Sequence, residues 1–458
     1  MDGSEWAGKR VTIIGLAREG VALAQYLAPR GARVTVNDRK SVDELRDAVE
    51  ALTPYAVRFV LGGHPEEVLD CDELFVSPGV PLDIPLLQEA RRRGLPLSGE
   101  SRFFLEHCPA SVIGVTGSSG KTTTVQLTGE MLRAAGFRTW VGGNIGQPLT
   151  PHLDEIAAED KVVMELSSFQ LQIMRQSPAV AAVLNITPNH LDRHPSMADY
   201  IEAKRNILRF QRAGDSAVLG YDNPVTRGMA GDVRGRLAFF SLAEAVDEGA
   251  FLRGERLVLR LAGRERDIVP RRDIGLRGDH NVANVLAACV IAGLAGAEVE
   301  AMAEAIRAFH GVEHRLELVR ELDGVRYYND SIATSPERAA AALRSFDEPL
   351  VVLAGGQDKH LPWDELADLM CRRARAVIAF GQAGDLVVGA LAAARQRAEA
   401  GHGPAVRRVA SLEEAVAAAR ELAQPGDVVL LAPGGTSFDA YRDFVQRGEH
   451  FRSLVGAL

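Results

Sequence analysis

Lysine is scarce in this chain. Six lysines stand in 458 residues (Lys9, Lys40, Lys121, Lys161, Lys204 and Lys359), and arginine supplies the other 46 of the 52 basic residues. Where any positive charge suffices, arginine has taken the place. A lysine that remains offers a compact ammonium or a nucleophilic amine, which arginine cannot supply. Cysteine is also scarce. Cys71, Cys108, Cys289 and Cys371 are far apart with no C-x-x-C pair, which excludes a disulfide framework and a thiolate zinc site and fits reduced thiols. The longest apolar run, residues 285–295, is too short to cross a bilayer and reads as a buried helix. A basic tail is absent and the net charge is −9, which argues against a nucleic-acid binder. The start, Met1-Asp2-Gly3-Ser4-Glu5, has no charged and apolar leader, so a cytoplasmic setting is expected.

What is present is an α/β pattern long enough for about three domains. The most informative stretch is Val112-Ile113-Gly114-Val115-Thr116-Gly117-Ser118-Ser119-Gly120-Lys121-Thr122-Thr123-Thr124. A β-branched run enters a glycine loop, the loop ends in Lys-Thr, and a helical sequence follows. Strand, loop and helix N-terminus form a phosphate cradle, with Lys121 toward the outer phosphates and the Thr122 hydroxyl toward Mg²⁺. The spacing is G-x-x-G-x-x-G-K-T, because Val115 stands where the strict pattern has its first glycine.

Ahead of this loop, residues 10–16 and 32–38 read as strands around a helix opened by Gly15-Leu16-Ala17-Arg18-Glu19-Gly20. Ala17 replaces the glycine through which a dinucleotide pyrophosphate approaches, so the fingerprint is degenerate and NAD is disfavoured against another nucleotide. Trp140 to Gly146 reads as a turn-rich segment after a strand. Residues 161–165 read as a strand placing Glu165 at its carboxyl end, where ligands sit in open α/β sheets. A further strand over 179–187 delivers Asn189-His190-Leu191-Asp192-Arg193-His194, and an amphipathic helix from Asp199 to Phe210 carries Lys204. Residues 215–270 look β-rich, and a long helix starts at Asp279. Strands are expected at 325–328, 349–354, 376–380 and 427–431. Polar loops follow three of them, and Thr436 or Ser437 is read as a helix N-cap.

In chain order, the motifs resemble the Mur ligase family along essentially all 458 residues. They are Thr-Gly-Ser-Ser-Gly-Lys-Thr at 116–122, Gly-Gly-Asn-Ile-Gly at 142–146 and Glu-Leu-Ser-Ser-Phe-Gln-Leu at 165–171. Asn-His-Leu-Asp-Arg-His at 189–194, Ala-Lys-Arg-Asn-Ile at 203–207 and His-Asn-Val-Ala-Asn at 280–284 follow. His-Arg-Leu-Glu at 314–317, Asn-Asp-Ser at 329–331, Gly-Gly-Gln-Asp-Lys at 355–359 and Ser-Phe-Asp-x-Tyr-x-x-Phe at 437–444 complete the set. The 165–171 and 437–444 segments resemble the branch that adds glutamate.

The resemblance implies three α/β domains. A Rossmann-like domain over 1–98 would bind the UDP-linked substrate. A central P-loop-type ATPase domain over 99–312 would have a mostly parallel sheet. A Rossmann-like domain over 313–458 would bind the amino acid and contact ATP. It implies ATP-dependent joining of D-glutamate to UDP-N-acetylmuramoyl-L-alanine through an acyl phosphate, in peptidoglycan precursor synthesis, by a monomer without nucleic-acid or membrane partners. The alternative within the family is another amino acid, such as L-glutamate, or a folate substrate.

By the same matching, Gly117, Ser118, Ser119, Gly120, Lys121, Thr122 and Thr123 would hold ATP, with Asn281, Asn284, Arg315 and Asp330. Thr122 and Glu165 would hold one Mg²⁺, and His190 with a carbamylated Lys204 a second, making Lys121, His190 and Lys204 the catalytic set. Gly15, Ala17, Arg18, Asp38, Ser77 and Gly79 would bind the uridine diphosphate end of the substrate, and Asn144, Ser167 and Gln170 the rest of it. Lys359, Ser437 and Phe444, with Thr334, would receive glutamate. One departure stands out: family members usually read Asn-Asp-Ser-Lys where this chain has Asn329-Asp330-Ser331-Ile332. That puts the identity of the incoming amino acid in question but not the nucleotide and metal assignments.

Overall fold

The structure, a computed structural model, describes residues 5–188, 193–397 and 403–458. It contains three sheets. In the first, β1 (Arg10–Ile14), β2 (Arg33–Asp38), β3 (Val57–Leu61), β4 (Glu73–Val76) and β5 (Leu97–Ser98) run parallel in the order β3-β2-β1-β4-β5. Chain direction across the sheet reverses between β1 and β4. That is the switch point at which open sheets leave a crevice for a ligand.

The second sheet has the order β14-β13-β12-β11-β10-β9-β6-β8-β7. Its strands are β6 (Ser111–Thr116), β7 (Thr139–Gly143), β8 (Lys161–Glu165), β9 (Val180–Val183), β10 (Ser216–Gly220), β11 (Arg236–Ser241), β12 (Gly249–Arg253), β13 (Arg256–Leu261) and β14 (Arg264–Pro270). The strands from β7 to β12 are parallel, and β13 and β14 extend the sheet as an antiparallel edge. Two expectations need correction here. Trp140 to Gly143 lie inside β7 rather than after it, and the strand expected over 179–187 ends at Val183. Its last expected residues form a polar loop whose backbone groups bind the phosphate loop.

Helix Asp279–Leu294 is buried from Val282 to Ala292 and packs with helix Lys121–Ala134 over one face of the second sheet. The all-apolar run thus makes a core helix. The first and second sheets share a hydrophobic core, in which Phe103 of helix Glu100–His107 meets Trp6, Tyr26 and Phe75 edge to face. Residues 1–274 and 279–309 accordingly form one compact unit, which holds both sheets.

The second unit comprises residues 275–278 and 310–458. Its sheet contains β15 (Glu317–Leu322), β16 (Val325–Asn329), β17 (Leu350–Gly355), β18 (Ala374–Phe380), β19 (Ala405–Arg408) and β20 (Val428–Gly434). The order is β15-β16-β20-β17-β18-β19, parallel except for the β15–β16 pair. Along β17, Leu350, Val352 and Ala354 enter one core and Val351 and Leu353 the other, so both faces are covered. Because β16, β20 and β17 are neighbours, the loops that follow them, which begin at Asn329, Gly434 and Gly355, emerge side by side. The expected N-cap at Thr436 or Ser437 is incorrect. The helix starts at Phe444, and Asp443 caps it by accepting from the Gln446 N–H at 2.8 Å.

Candidate active site

In the first unit, β6 delivers the glycine loop directly onto helix Lys121–Ala134. Gly120 has φ +82°, and a Cβ there would lie 2.1 Å from Asn284 Oδ1. Only glycine allows this turn while the long core helix brings Asn284 against the loop. Asn284 Nδ2 in turn donates to Asn281 Oδ1 at 3.1 Å. The two asparagines matched to ATP therefore stand beside the phosphate loop, although more than 150 residues separate them from it in the chain.

The loop is held from its other side by a residue that the motif reading did not single out. Asn185 O accepts from the Ser118 N–H at 2.9 Å, and Asn185 Oδ1 from the Ser119 N–H at 3.0 Å. Asn185 Nδ2 returns a bond to Ser119 O at 3.2 Å. The residue was hidden because the expected strand ran through it. Ser118 Oγ donates to Thr187 O and lies 3.0 Å from the Tyr200 hydroxyl.

Register places the acid. Glu165 ends β8 opposite Val115 of β6 on one side and Gly143 of β7 on the other. Its Oε2 accepts from Thr122 Oγ1 at 2.7 Å and its Oε1 from Asn144 Nδ2 at 2.8 Å. Helix Met197–Arg209, capped by Ser196, buries Tyr200, Ala203, Lys204 and Ile207, the i, i+3, i+4, i+7 stripe. Lys204 thus occupies an apolar face and is 2% exposed. Its Nζ donates to Gly117 O at 3.0 Å and Thr116 Oγ1 at 3.2 Å, and Lys121 Nζ reaches the same Gly117 oxygen at 3.1 Å. Burial first, then repulsion from Lys121, lowers Lys204 to about 7, with Glu165 acting the other way. His190 lies outside the described residues.

At the crevice of the first sheet, Ser77 Oγ donates to Gly15 O at 2.7 Å and Asp38 Oδ2 accepts from the Leu16 N–H at 2.8 Å. Arg18 donates to Gly146 O at 2.6 Å, and Arg193 to Gly79 O at 3.2 Å. Gly15, Ala17, Arg18, Asp38, Ser77 and Gly79 therefore surround one crevice mouth. Ser167 and Gln170 form a capping box on helix Ser168–Leu171. The Gln170 amide also donates to Glu19 at 2.7 Å and Ser101 at 2.8 Å, and the residue is 2% exposed. Glu19, desolvated and near Glu100, is raised to about 8.

In the second unit, Asp330 opens the turn after β16, and its side chain accepts from the Leu316 N–H at 3.0 Å. Burial raises its carboxyl to about 7 against the opposing pull of Arg315 and Arg338. Lys359 lies in the loop after β17. Its ammonium is lowered by partial burial, then by Arg338 and Arg447. Ser437 is buried and Phe444 half-buried, and Thr334 follows the Asp330 turn. This unit gathers five residues matched to glutamate or ATP (Asp330, Thr334, Lys359, Ser437 and Phe444) around the mouths of three adjacent strands.

Comparison with known proteins accords with this geometry. Family models match residues 9–99 (Mur ligase MurD-like, N-terminal domain), 115–292 (Mur ligase middle domain) and 314–435 (Mur ligase, glutamate ligase domain). The chain is 46% identical over 455 residues to the UDP-N-acetylmuramoylalanine--D-glutamate ligase of Symbiobacterium thermophilum, covering 98% of each chain. It is 40% identical over 451 residues to the protein of that name in Acetivibrio thermocellus, covering 98% of this chain and 97% of that one. Among solved structures, the UDP-N-acetylmuramate-alanine ligase of Thermotoga maritima shares the fold with a TM-score of 0.58 at 18% identity, over 98% of this chain and 99% of that one. A UDP-N-acetylmuramoyl-L-alanyl-D-glutamate--2,6-diaminopimelate ligase does so with the same TM-score and identity, over 100% and 94%. The chain belongs to the Mur ligase family.

Proposed function

We propose that this chain joins D-glutamate to UDP-N-acetylmuramoyl-L-alanine at the expense of ATP. The single observation that carries the mechanism is the group around Gly117 and Glu165. Two lysine amines meet one loop carbonyl, and the P-loop threonine meets a buried carboxylate. Full-length relatives with the D-glutamate name support the choice of substrates.

A carboxylate does not react with an amine, because oxide would have to leave. Transfer of the γ-phosphoryl group to the alanyl carboxylate turns that oxygen into part of a phosphate leaving group. The glutamate amine then attacks the acyl carbon, and the tetrahedral adduct expels phosphate, leaving the amide. Such a transfer needs positioning and charge neutralisation rather than covalent help from the protein. Lys121 neutralises charge at the γ-phosphoryl, and the Ser118 and Ser119 segment, fixed by Asn185, shapes the cradle. Asn281 and Asn284 sit beside the nucleotide, and the Gly15–Asp38–Ser77 crevice takes the uridine diphosphate end.

The residues fit Mg²⁺. Thr122 and Glu165 present hard oxygen donors in contact with each other, and a cation between them would take the place of their hydrogen bond. Among the described residues no three His, Cys, Asp or Glu converge as a full metal cage. Mg²⁺ beside phosphates needs none, because water and phosphate complete its octahedron. The metal would spread the charge that develops during transfer. His190 and a carbamylated Lys204 would hold a second ion. Lys204 suits carbamate formation because its amine is buried, bonded to neutral oxygens and lowered to about 7, so that a neutral fraction is present near pH 7. A monomer in the cytoplasm completes the proposal.

Purified protein should release phosphate only when ATP, Mg²⁺, UDP-N-acetylmuramoyl-L-alanine and D-glutamate are all present. Equal release without the nucleotide-linked substrate, or faster turnover with L-glutamate, would refute this reading.

A further inference from the structure

Arg447, on helix Phe444–Gly456, is fully buried, with no exposed surface. All five of its N–H groups are used, and every acceptor is neutral. Nε donates to Ser331 Oγ at 3.0 Å and Nη2 to Ser331 O at 2.9 Å. Nη1 donates to Thr436 O at 2.9 Å, and Nη1 and Nη2 each reach Gly435 O at 3.3 Å. Ser331 Oγ passes the connection on, donating to Phe444 O at 2.8 Å. The neighbouring loop leaves no slack: a Cβ on Gly356, at φ +91°, would lie 2.8 Å from Nη1 and 2.2 Å from Thr436 O.

One planar group therefore ties together the turn after β16, the turn after β20 and the start of the last helix. A lysine has three donors on a single atom and could not span these segments. Because the acceptors are carbonyls and a hydroxyl, no carboxylate bonds the guanidinium directly, and its charge lies in a poorly solvated place, where charge acts over longer distances than in water. Burial brings the group down to about 10 even so, with Asp439 and Tyr441 opposing the shift. The nearby Lys359 is a second cation that Arg447 and Arg338 disfavour. Asp439 offsets only part of this positive charge, and an anionic ligand would relieve the rest.

We propose that Arg447 is a positioning residue for the amino-acid substrate, fixing the Ser331, Thr436 and Phe444 segments as one floor and placing beneath it a positive charge that selects a dicarboxylate. Arg447 does this without touching the substrate, because it has no N–H left to give. The proposal rests on the glutamate-adding reading above.

The test compares the wild type with Arg447→Lys, which keeps the charge, and Arg447→Met, which keeps the length alone. KM for D-glutamate, KM for ATP and kcat are measured by phosphate release, and thermal unfolding reports folding. Arg447→Met should raise KM for D-glutamate on the order of 10- to 100-fold and reduce the preference for D-glutamate over D-glutamine. Arg447→Lys should hold that KM within about 5-fold while kcat falls roughly 10-fold, and KM for ATP should stay within about 3-fold in both.

Equal increases in glutamate KM for the two variants, or parallel increases for glutamate and ATP, would overturn the proposal. If the methionine variant does not fold, the lysine variant decides alone: a glutamate KM more than about 10-fold above wild type overturns the charge role. A wild type that uses a different acidic amino acid refutes the D-glutamate reading only, and the lysine–methionine contrast with that substrate still decides for Arg447. A wild type that prefers a neutral amino acid overturns both.

Discussion

Thr122 Oγ1 donates to Glu165 Oε2 at 2.7 Å across the mouths of β6 and β8. The threonine opens the P-loop helix, and the acid ends the neighbouring strand. Both partners are hard oxygen donors and the acid is also steadied by Asn144, the basis on which a divalent cation is proposed to lie between them.

Replacing Glu165 with Gln keeps the volume and one acceptor oxygen but removes the charge. The variant should fold with nearly wild-type stability and lose about 10²- to 10³-fold in kcat, with a higher Mg²⁺ concentration for half-maximal rate. Turnover within about 3-fold of wild type at low Mg²⁺ would contradict the assignment. Lys121→Ala should abolish phosphoryl transfer outright, since no other lysine lies in the loop. A positional isotope exchange assay reads that step directly.

Lys204 gives a prediction of a different kind. Lys204→Ala should lose most activity, and bicarbonate should not restore it. Wild type kept free of CO₂ should lose activity and recover it on adding bicarbonate. A ¹³C-bicarbonate sample should show one carbamate resonance that the variant lacks. A spectrum identical for the two proteins would remove the carbamate while leaving the lysine's electrostatic role intact.

Asp330 ties pH to stability. Burial raises its carboxyl to about 7 from an ordinary 3.8. Between these values the folded protein holds a proton that the unfolded chain has released, so folding is favoured at the acid end and the advantage is lost as pH rises through 7. Asp330→Asn keeps the acceptor for the Leu316 N–H and removes the titration. At pH 8 this variant should unfold later than wild type, by on the order of 1–2 kcal/mol, and the gap should close near pH 4. Its activity should fall, because the charge matched to ATP is gone. A gap that does not change with pH would refute the assigned titration.

The site was legible where chemistry constrains both residue type and spacing. Gly120, Lys121, Thr122 and Glu165 announced themselves because a phosphate loop and a strand-end acid each have a local signature, and the structure brings Thr122 and Glu165 into contact. Asn185 had no such signature. It acts from an irregular segment that resembled the last turn of a strand, and its bonds are to backbone groups about 66 residues away in sequence. Ser437 and Asp443 are both good N-cap residues six positions apart, and local preference could not choose between them. The choice is tertiary, because Arg447 must reach Ser331 and Thr436, which places the helix start at Phe444. Gln170 belongs to a motif matched to the substrate, and its amide also links the capping box to Glu19 and Ser101, tertiary bonds that no local signature announces.

Ile332 stands after Asn329-Asp330-Ser331, where the resemblance implies a lysine. Ile332 is half-buried and its N–H donates to His314 O at 3.2 Å, so the backbone turn is kept while the charge is lost. Arg338, exposed on helix Pro336–Arg344, exerts its field on both Asp330 and Lys359. It brings positive charge from the following helix to the neighbourhood that the lysine would have served. Arg338→Ala should therefore raise KM for glutamate by about 3- to 10-fold at low ionic strength, and less in 0.5 M salt, as an exposed charge is screened. Adding Ile332→Lys to that variant should recover part of the loss. The single change Ile332→Lys in wild type should bring no gain, because a third cation beside Arg338 and Lys359 adds repulsion before glutamate arrives. A double variant no better than Arg338→Ala alone would show that the two positions do not share one electrostatic task.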